Sequence, residues 1–160
     1  MQRVAVALVV ALAAACAGSD PPPAGDGPAL EGAWATGCVT VGGRDETDER
    51  SFSGSTVTGS AVGFASSNGS CTSVVISAGW SSLFQIGARA QATLSSAPVT
   101  VWQFTMGVDP VANYNIVYVD TAASPAVTYF GDCSATAGLD CSAADKRPTV
   151  LDAARPYRRQ

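Results

Sequence analysis

The chain has 160 residues, with 9 basic and 13 acidic side chains, no histidine, and a formal net charge of −4. Only 14% of its residues are charged, and the balance is acidic; this excludes a nucleic-acid binder, which would carry a basic stripe. The missing histidine removes the Ser-His and Cys-His arrangements of nucleophilic catalysis and argues against a zinc site.

In chain order, Met1-Gln2-Arg3 precedes an unbroken apolar run from Val4 to Ala15. That run is too short to span a bilayer, which takes roughly 20 residues, and it fits the hydrophobic part of a signal peptide. It ends Leu12-Ala13-Ala14-Ala15-Cys16. Small residues before a cysteine resemble the lipobox of bacterial lipoproteins, in which the cysteine carries palmitate-type acyl chains and the leader is cut just before it. Here Ala13 stands where that family usually has Leu. The resemblance implies a leader over 1–15, a lipidated Cys16, and a protein held outside the cytoplasm, at ~0.8 kcal/mol of anchoring per buried methylene. By the family's sorting rule, Ala17 in place of Asp implies the outer membrane in a Gram-negative host. The alternative is an ordinary secretory signal cleaved after the same alanines.

Residues 16–30 read as the lipidated cysteine and a Pro/Gly-rich tether able to reach up to ~40 Å at about 3 Å per residue. Residues 31–160 form the domain. Without the leader and its Arg3 the mature chain keeps 8 basic and 13 acidic side chains, a net charge of −5. Its four cysteines, Cys38, Cys71, Cys133 and Cys141, imply two disulfides in an exported protein. Of the three pairings possible, Cys38–Cys71 with Cys133–Cys141 is expected, because the second closes a Ser/Ala/Thr/Gly loop with no other reason to hold a shape. Loop-closure entropy gives roughly 2.5 kcal/mol for the short loop and about 4 for the long one.

The periodicity of the domain is two. Strands are expected over 32–41, 51–58, 60–66, 71–79, 82–88, 90–95, 99–107, 112–121 and 126–131. β-branched and aromatic residues fill these runs, and Asn68-Gly69 and Asp109-Pro110 mark turns. The densest charge cluster, Arg44 to Arg50, reads as a solvated hairpin between the first two strands; it lacks the glycine and spacing of a calcium loop. A short C-terminal helix is expected, capped by Thr149 with Asp152 three residues on and stopped by Pro156, or else a tail. Arg155 to Gln160 reads as a basic tail, part packed on the barrel mouth and part solvated. The fold class is therefore all-β, an antiparallel barrel of about eight strands stapled by disulfides.

Gly32-Ala33-Trp34 opens the first strand, Cys38 follows, Phe64 precedes Cys71, and the late chain carries Tyr129-Phe130-Gly131-Asp132 and then Arg147-Pro148-Thr149. Together these are similar to the lipocalin-like barrel of the "adenomatosis polyposis coli down-regulated" family. The resemblance implies that Trp34 closes one barrel end, with Arg147 or Arg155 packed on its face, and that the barrel binds a small hydrophobic or acylated molecule. The Cys133–Cys141 loop departs from the pattern, and no ligand-pocket residue carries over.

No enzyme is expected. Lys146 is the sole lysine and no S-x-x-K precedes it; Asp109, Asp120 and Asp132 read as turn aspartates rather than a catalytic pair. No cofactor and no metal are expected. The partners expected are the membrane, through the N-terminal lipid, and a small hydrophobic molecule or an envelope protein bound through loops. Replacing Cys16 with Ser is expected to release the protein from membranes in a fractionation assay; retention would reveal a different anchor.

Overall fold

A computed structural model describes residues 28–107 and 111–160. The leader, Cys16 and the Asp109-Pro110 turn lie outside the described residues. Nine antiparallel strands form one sheet: β1 Gly32–Ala35, β2 Val39–Val41, β3 Arg44–Ser53, β4 Thr56–Phe64, β5 Val74–Leu94, β6 Ala97–Met106, β7 Asn113–Asp120, β8 Val127–Phe130 and β9 Tyr157–Arg159. From β2 through β8 each strand pairs with the next in sequence. β9 then joins β8 to β1, and β1 pairs with β3, so the sheet closes in a ring.

The later strands match the alternation read from sequence closely: β6, β7 and β8 lie within two residues of the expected spans. The first half differs. The expected strand 32–41 breaks into β1 and β2 at Gly37, whose φ of 69° only glycine adopts readily. The expected strand 51–58 contains the β3–β4 turn at Gly54 (φ 57°). The three strands expected over 71–95 are one, β5, whose first half pairs with β4 and whose second half pairs with β6, with a register shift between Ile86 and Arg89.

The charged run Arg44 to Arg50 is not a solvated hairpin. It lies within β3, paired with β1, β2 and β4. Glu46, Asp48 and Arg50 share the face of the buried Phe52, so the run obeys period two with charges in place of hydrophobes.

Inside the ring, Phe52, Phe84, Phe104 and Phe130 form a connected aromatic stack, with ring centroids 5.3–6.3 Å apart. Tyr157 extends it edge-on at 5.4 Å from Phe130, and Leu30, Trp34, Val57 and Val117 complete the core. Leu30 was assigned to the tether from sequence; its burial starts the domain one residue earlier.

A second cluster, Ala92, Val101, Ile116 and Leu151, lies on the outer face. The segment 147–152 straps over it. The Thr93 N–H donates to the Thr149 carbonyl at 3.0 Å and its carbonyl accepts the Leu151 N–H at 2.9 Å, and the Asp132 N–H donates to the Val150 carbonyl at 2.8 Å. The helix expected from Thr149 is absent. The backbone bonds a helix would need already go to Thr93, Phe130 and Asp132, and Leu151 is buried, so tertiary pairing outweighs a weak helix preference. The strap lies so close that a Cβ at Gly131 would come within 2.3 Å of Pro148 and 2.7 Å of Ile116.

Gly131→Ala is therefore expected to destabilise the protein by roughly 1–3 kcal/mol, the usual cost of overpacking. An unchanged urea midpoint would mean that the strap is not held against β8.

Candidate functional site

The two ends of the ring differ in chemistry. At one end Trp34 is buried, its indole N–H donates to the Leu30 carbonyl at 2.6 Å, and a guanidinium lies 4.9 Å above its ring. That guanidinium belongs to Arg159, in place of the Arg147 or Arg155 expected there. Arg159 also donates to the carbonyls of Ala29 and Glu31 at 2.9 and 2.8 Å, which fastens the start of the domain across this end. The tail is part packed and part solvated as expected, with Tyr157 buried and Arg158 and Arg159 exposed, but it forms strand β9, which sets Arg159 opposite Trp34 in register.

Arg147 sits elsewhere. It donates to the carbonyls of Phe104 and Asn115 at 2.8 and 2.6 Å and to the Thr105 hydroxyl at 2.7 Å, and it lies 5.2 Å above the Tyr114 ring. Burial lowers its pKa below the ordinary arginine value, with the Tyr114 phenol opposing. Arg147 ties the strap to β6 and β7.

The opposite end is open. A cleft of about 410 Å³ enters the ring there, floored by Phe104, Met106, Phe130 and Tyr157 and rimmed by Asn113, Asn115, Asp132 and Arg155. Arg50 reaches into it. Its guanidinium lies 4.3 Å from the Phe130 ring and 4.6 Å from that of Tyr157, with Trp80 at 5.8 Å. Asp48 pairs with it at 3.3 Å and accepts the Tyr157 hydroxyl at 2.8 Å. Burial pushes the Tyr157 phenol well above its usual pKa, with the Asp48 carboxylate adding to the rise, so it serves as a donor at any physiological pH. At the rim Arg155 bridges Glu46 at 2.9 Å and Asp152 at 3.7 Å. Within this network Arg50 Nε and Asp48 Oδ1 are buried without a hydrogen-bond partner. Unpaired buried polar atoms are costly, and of these two residues Arg50 lines the cleft. The sequence reading does not bring these residues together: it places Arg147 or Arg155 on Trp34, reads Asp132 as a turn aspartate and sets the run Arg44 to Arg50 in solvent. The signal was the alternation of Glu46, Asp48 and Arg50 leading into Phe52.

A shallower groove of about 340 Å³ runs along β1, β3 and β4, lined by small residues such as Ala33, Ala35, Ser51 and Ser60.

Both expected disulfides are present, Cys38–Cys71 and Cys133–Cys141, with Cα atoms 5.8 and 5.4 Å apart. Each is set by carboxylates. Asp45 is fully buried, accepting the Thr40 hydroxyl at 2.6 Å and the N–H groups of Gly69, Ser70 and Cys71 at 2.9–3.3 Å. Burial alone would raise its pKa; these bonds, with that of Ser66, outweigh it and hold the carboxyl far below the usual range. The short loop repeats one tripeptide, Asp132-Cys133-Ser134 and Asp140-Cys141-Ser142. In each, the aspartate accepts the serine hydroxyl at 2.6 Å and its N–H at 2.8–3.1 Å. Those serine bonds lower the pKa of both Asp132 and Asp140. Asp120 likewise accepts the N–H groups of Ala122 and Ala123. Among the described residues no group of three His, Cys, Asp or Glu is placed to hold a metal ion, and no helix is long and apolar enough to cross a membrane. Two disulfides fit an oxidising, extracytoplasmic setting.

Because the folded pKa of Asp45 lies below its unfolded value of about 3.9, its contribution to stability is complete above that pH and is lost as pH falls toward the folded value. The urea midpoint is therefore expected to fall further between about pH 5 and about pH 2 in the wild type than in Asp45→Asn. Equal falls would show that the cradle does not act on the ionised carboxylate.

Comparison with protein-family models, with curated proteins and with solved structures finds no match to this chain, so its own geometry carries the functional reading.

Proposed function

We propose that this chain is a lipid-anchored module of the cell envelope that binds a small hydrophobic or acylated molecule in the open end of a lipocalin-like barrel. The observation that carries this reading is the cleft of about 410 Å³. Ligand sites are typically ~300–1,000 Å³ in volume, mostly apolar, with a few placed polar groups. This cleft falls in that range of volume and pairs an apolar floor of Phe104, Met106 and Phe130 with an about equal polar share from Arg50, Asn113, Asn115, Asp132, Asp152 and Arg155. The phenylalanine stack blocks the ring below it, so the ligand is confined to the mouth and is small. Arg50, which lines the cleft, keeps one unpartnered polar atom for a ligand's polar group. The Gly32-Ala33-Trp34 opening, with a cation over the indole, and the contact of Gly131 with Pro148 support the barrel resemblance. The lipid anchor rests on the leader and Cys16.

A second reading, an envelope interaction protein that binds a protein partner, is favoured by the exposure of Val74, Val75 and Ile76, which are 58–62% accessible.

Native mass spectrometry of the chain carrying Cys16→Ser, exported and purified without detergent, tests the first reading. A bound mass of a few hundred daltons, lost on denaturation and absent from Met106→Trp (which narrows the cleft), is expected. An unliganded wild type that also ignores added fatty acids and acylated peptides would remove the small-molecule reading.

A further inference from the structure

Along part of its length β5 is paired on one side alone among the described residues. Its first half, Val74 to Leu83, pairs with β4, and only from Phe84 onward does it pair with β6. Among the described residues no strand lies on the other side of Val74 to Ser82. The direction of the free groups follows from two bonds. The Phe84 N–H donates to the Ser55 carbonyl next to β4, whereas the Leu83 carbonyl accepts the Gly107 N–H on the β6 side. Successive residues in a strand point their backbone groups to alternate sides, so Ser77, Gly79 and Ser81 direct theirs to the open edge; the register shift that leaves Val75 as a bulge ends the alternation there.

Such edges are ordinarily blunted by lysine, proline, an inward charge or a bulge. A bulge at Val75 marks one end, and between Ile76 and Ser82 this edge has none of these. No charged residue occurs from Ser51 to Ala88, in a chain that is otherwise net acidic. Val74, Val75 and Ile76 stand exposed along it. An uncharged edge on a molecule of net negative charge is where a second identical molecule can approach with least repulsion.

We infer that this edge of β5 pairs with the same edge of a second copy of the chain, antiparallel about a two-fold axis at Ala78. The register follows from the side chains. Centring on Ala78 sets Ser77 of each copy against Gly79 of the other as hydrogen-bonded pairs, within the regular stretch from Ile76 to Ser82. It also sets Ile76 against Trp80 in the closer, non-hydrogen-bonded positions. An aliphatic residue opposite an aromatic one is a favoured cross-strand pair. Centring on Ser77 or Gly79 loses the Ile76–Trp80 pair. The contact is isologous, as a two-fold dimer requires, and it joins the two rings through one continuous sheet. The inference stands apart from the reading of the mouth, because no residue of the cleft floor takes part.

The register makes the test specific. At a non-hydrogen-bonded pair the Cα atoms lie about 4.5 Å apart, within reach of a disulfide. In the full-length protein, Ala78→Cys is expected to give a covalent dimer on a non-reducing gel. Ala88→Cys, on the half of β5 that pairs with β6, is expected to stay monomeric. Ala78→Lys and Ala78→Asp each set like charges face to face and are expected to abolish dimers in sedimentation, whereas mixing the two restores them. Mass mapping of Cys38–Cys71 and Cys133–Cys141 confirms the fold of each variant. A monomeric wild type without the Ala78→Cys crosslink overturns the inference, including where a strand of another protein is found on this edge. So does a dimer that survives Ala78→Lys and Ala78→Asp alike.

Discussion

A guanidinium inside the ring governs the arrangement around it. Arg50 sits among Phe130, Tyr157 and Trp80 with Asp48 as its counter-ion, and the Tyr157 hydroxyl completes Asp48. A charge placed there from β3 is tolerable only with partners, and the partner that finishes the set comes from three residues before the C-terminus. Tyr157 is also the first residue of β9, so the strand that supplies Arg50 with its aromatic neighbour is the strand that closes the ring. Two residues further on, Arg159 covers Trp34 and fastens Ala29 and Glu31. Closure, the sealed end and the charged interior are one construction.

The open end follows from the same constraint. The inner face of β3 runs from Phe52 through Arg50 and Asp48 to Glu46, from fully apolar to fully charged within one strand. The apolar end seals with aromatic side chains. The charged end stays near water, because Glu46, Asp48 and Arg155 could not all be buried deeper without leaving charges unpaired. A cleft with an aromatic floor and a polar rim is the shape left between these two requirements.

The sparse charge of the chain is therefore concentrated where it organises structure. Asp45 gathers the segment that carries Cys71, and Asp132 and Asp140 shape the turns that carry Cys133 and Cys141. Arg147 holds the strap down. The long uncharged stretch from Ser51 to Ala88 is the complement of this pattern, and it contains the half of β5 that pairs with β4.

The strands β6, β7 and β8 were legible in the sequence because their hydrophobes alternate and packing on both faces agrees with local preference. The disulfide partners were legible too, from their even number and from a loop with nothing else to shape it. The charged β3 was not, since alternation is ordinarily sought in hydrophobes and here it is carried by Glu46, Asp48 and Arg50. The basic tail gave no sign of being a strand, because three residues form one only when β1 and β8 already stand on either side. The cleft was hidden for the same reason: its walls come from residues 50, 104, 130 and 157, far apart in the chain. Local pattern determined where strands and crosslinks form. Only the closure of the ring decided which charges turn inward, which arginine covers Trp34 and which end stays open, because each depends on contacts between segments about a hundred residues apart or more.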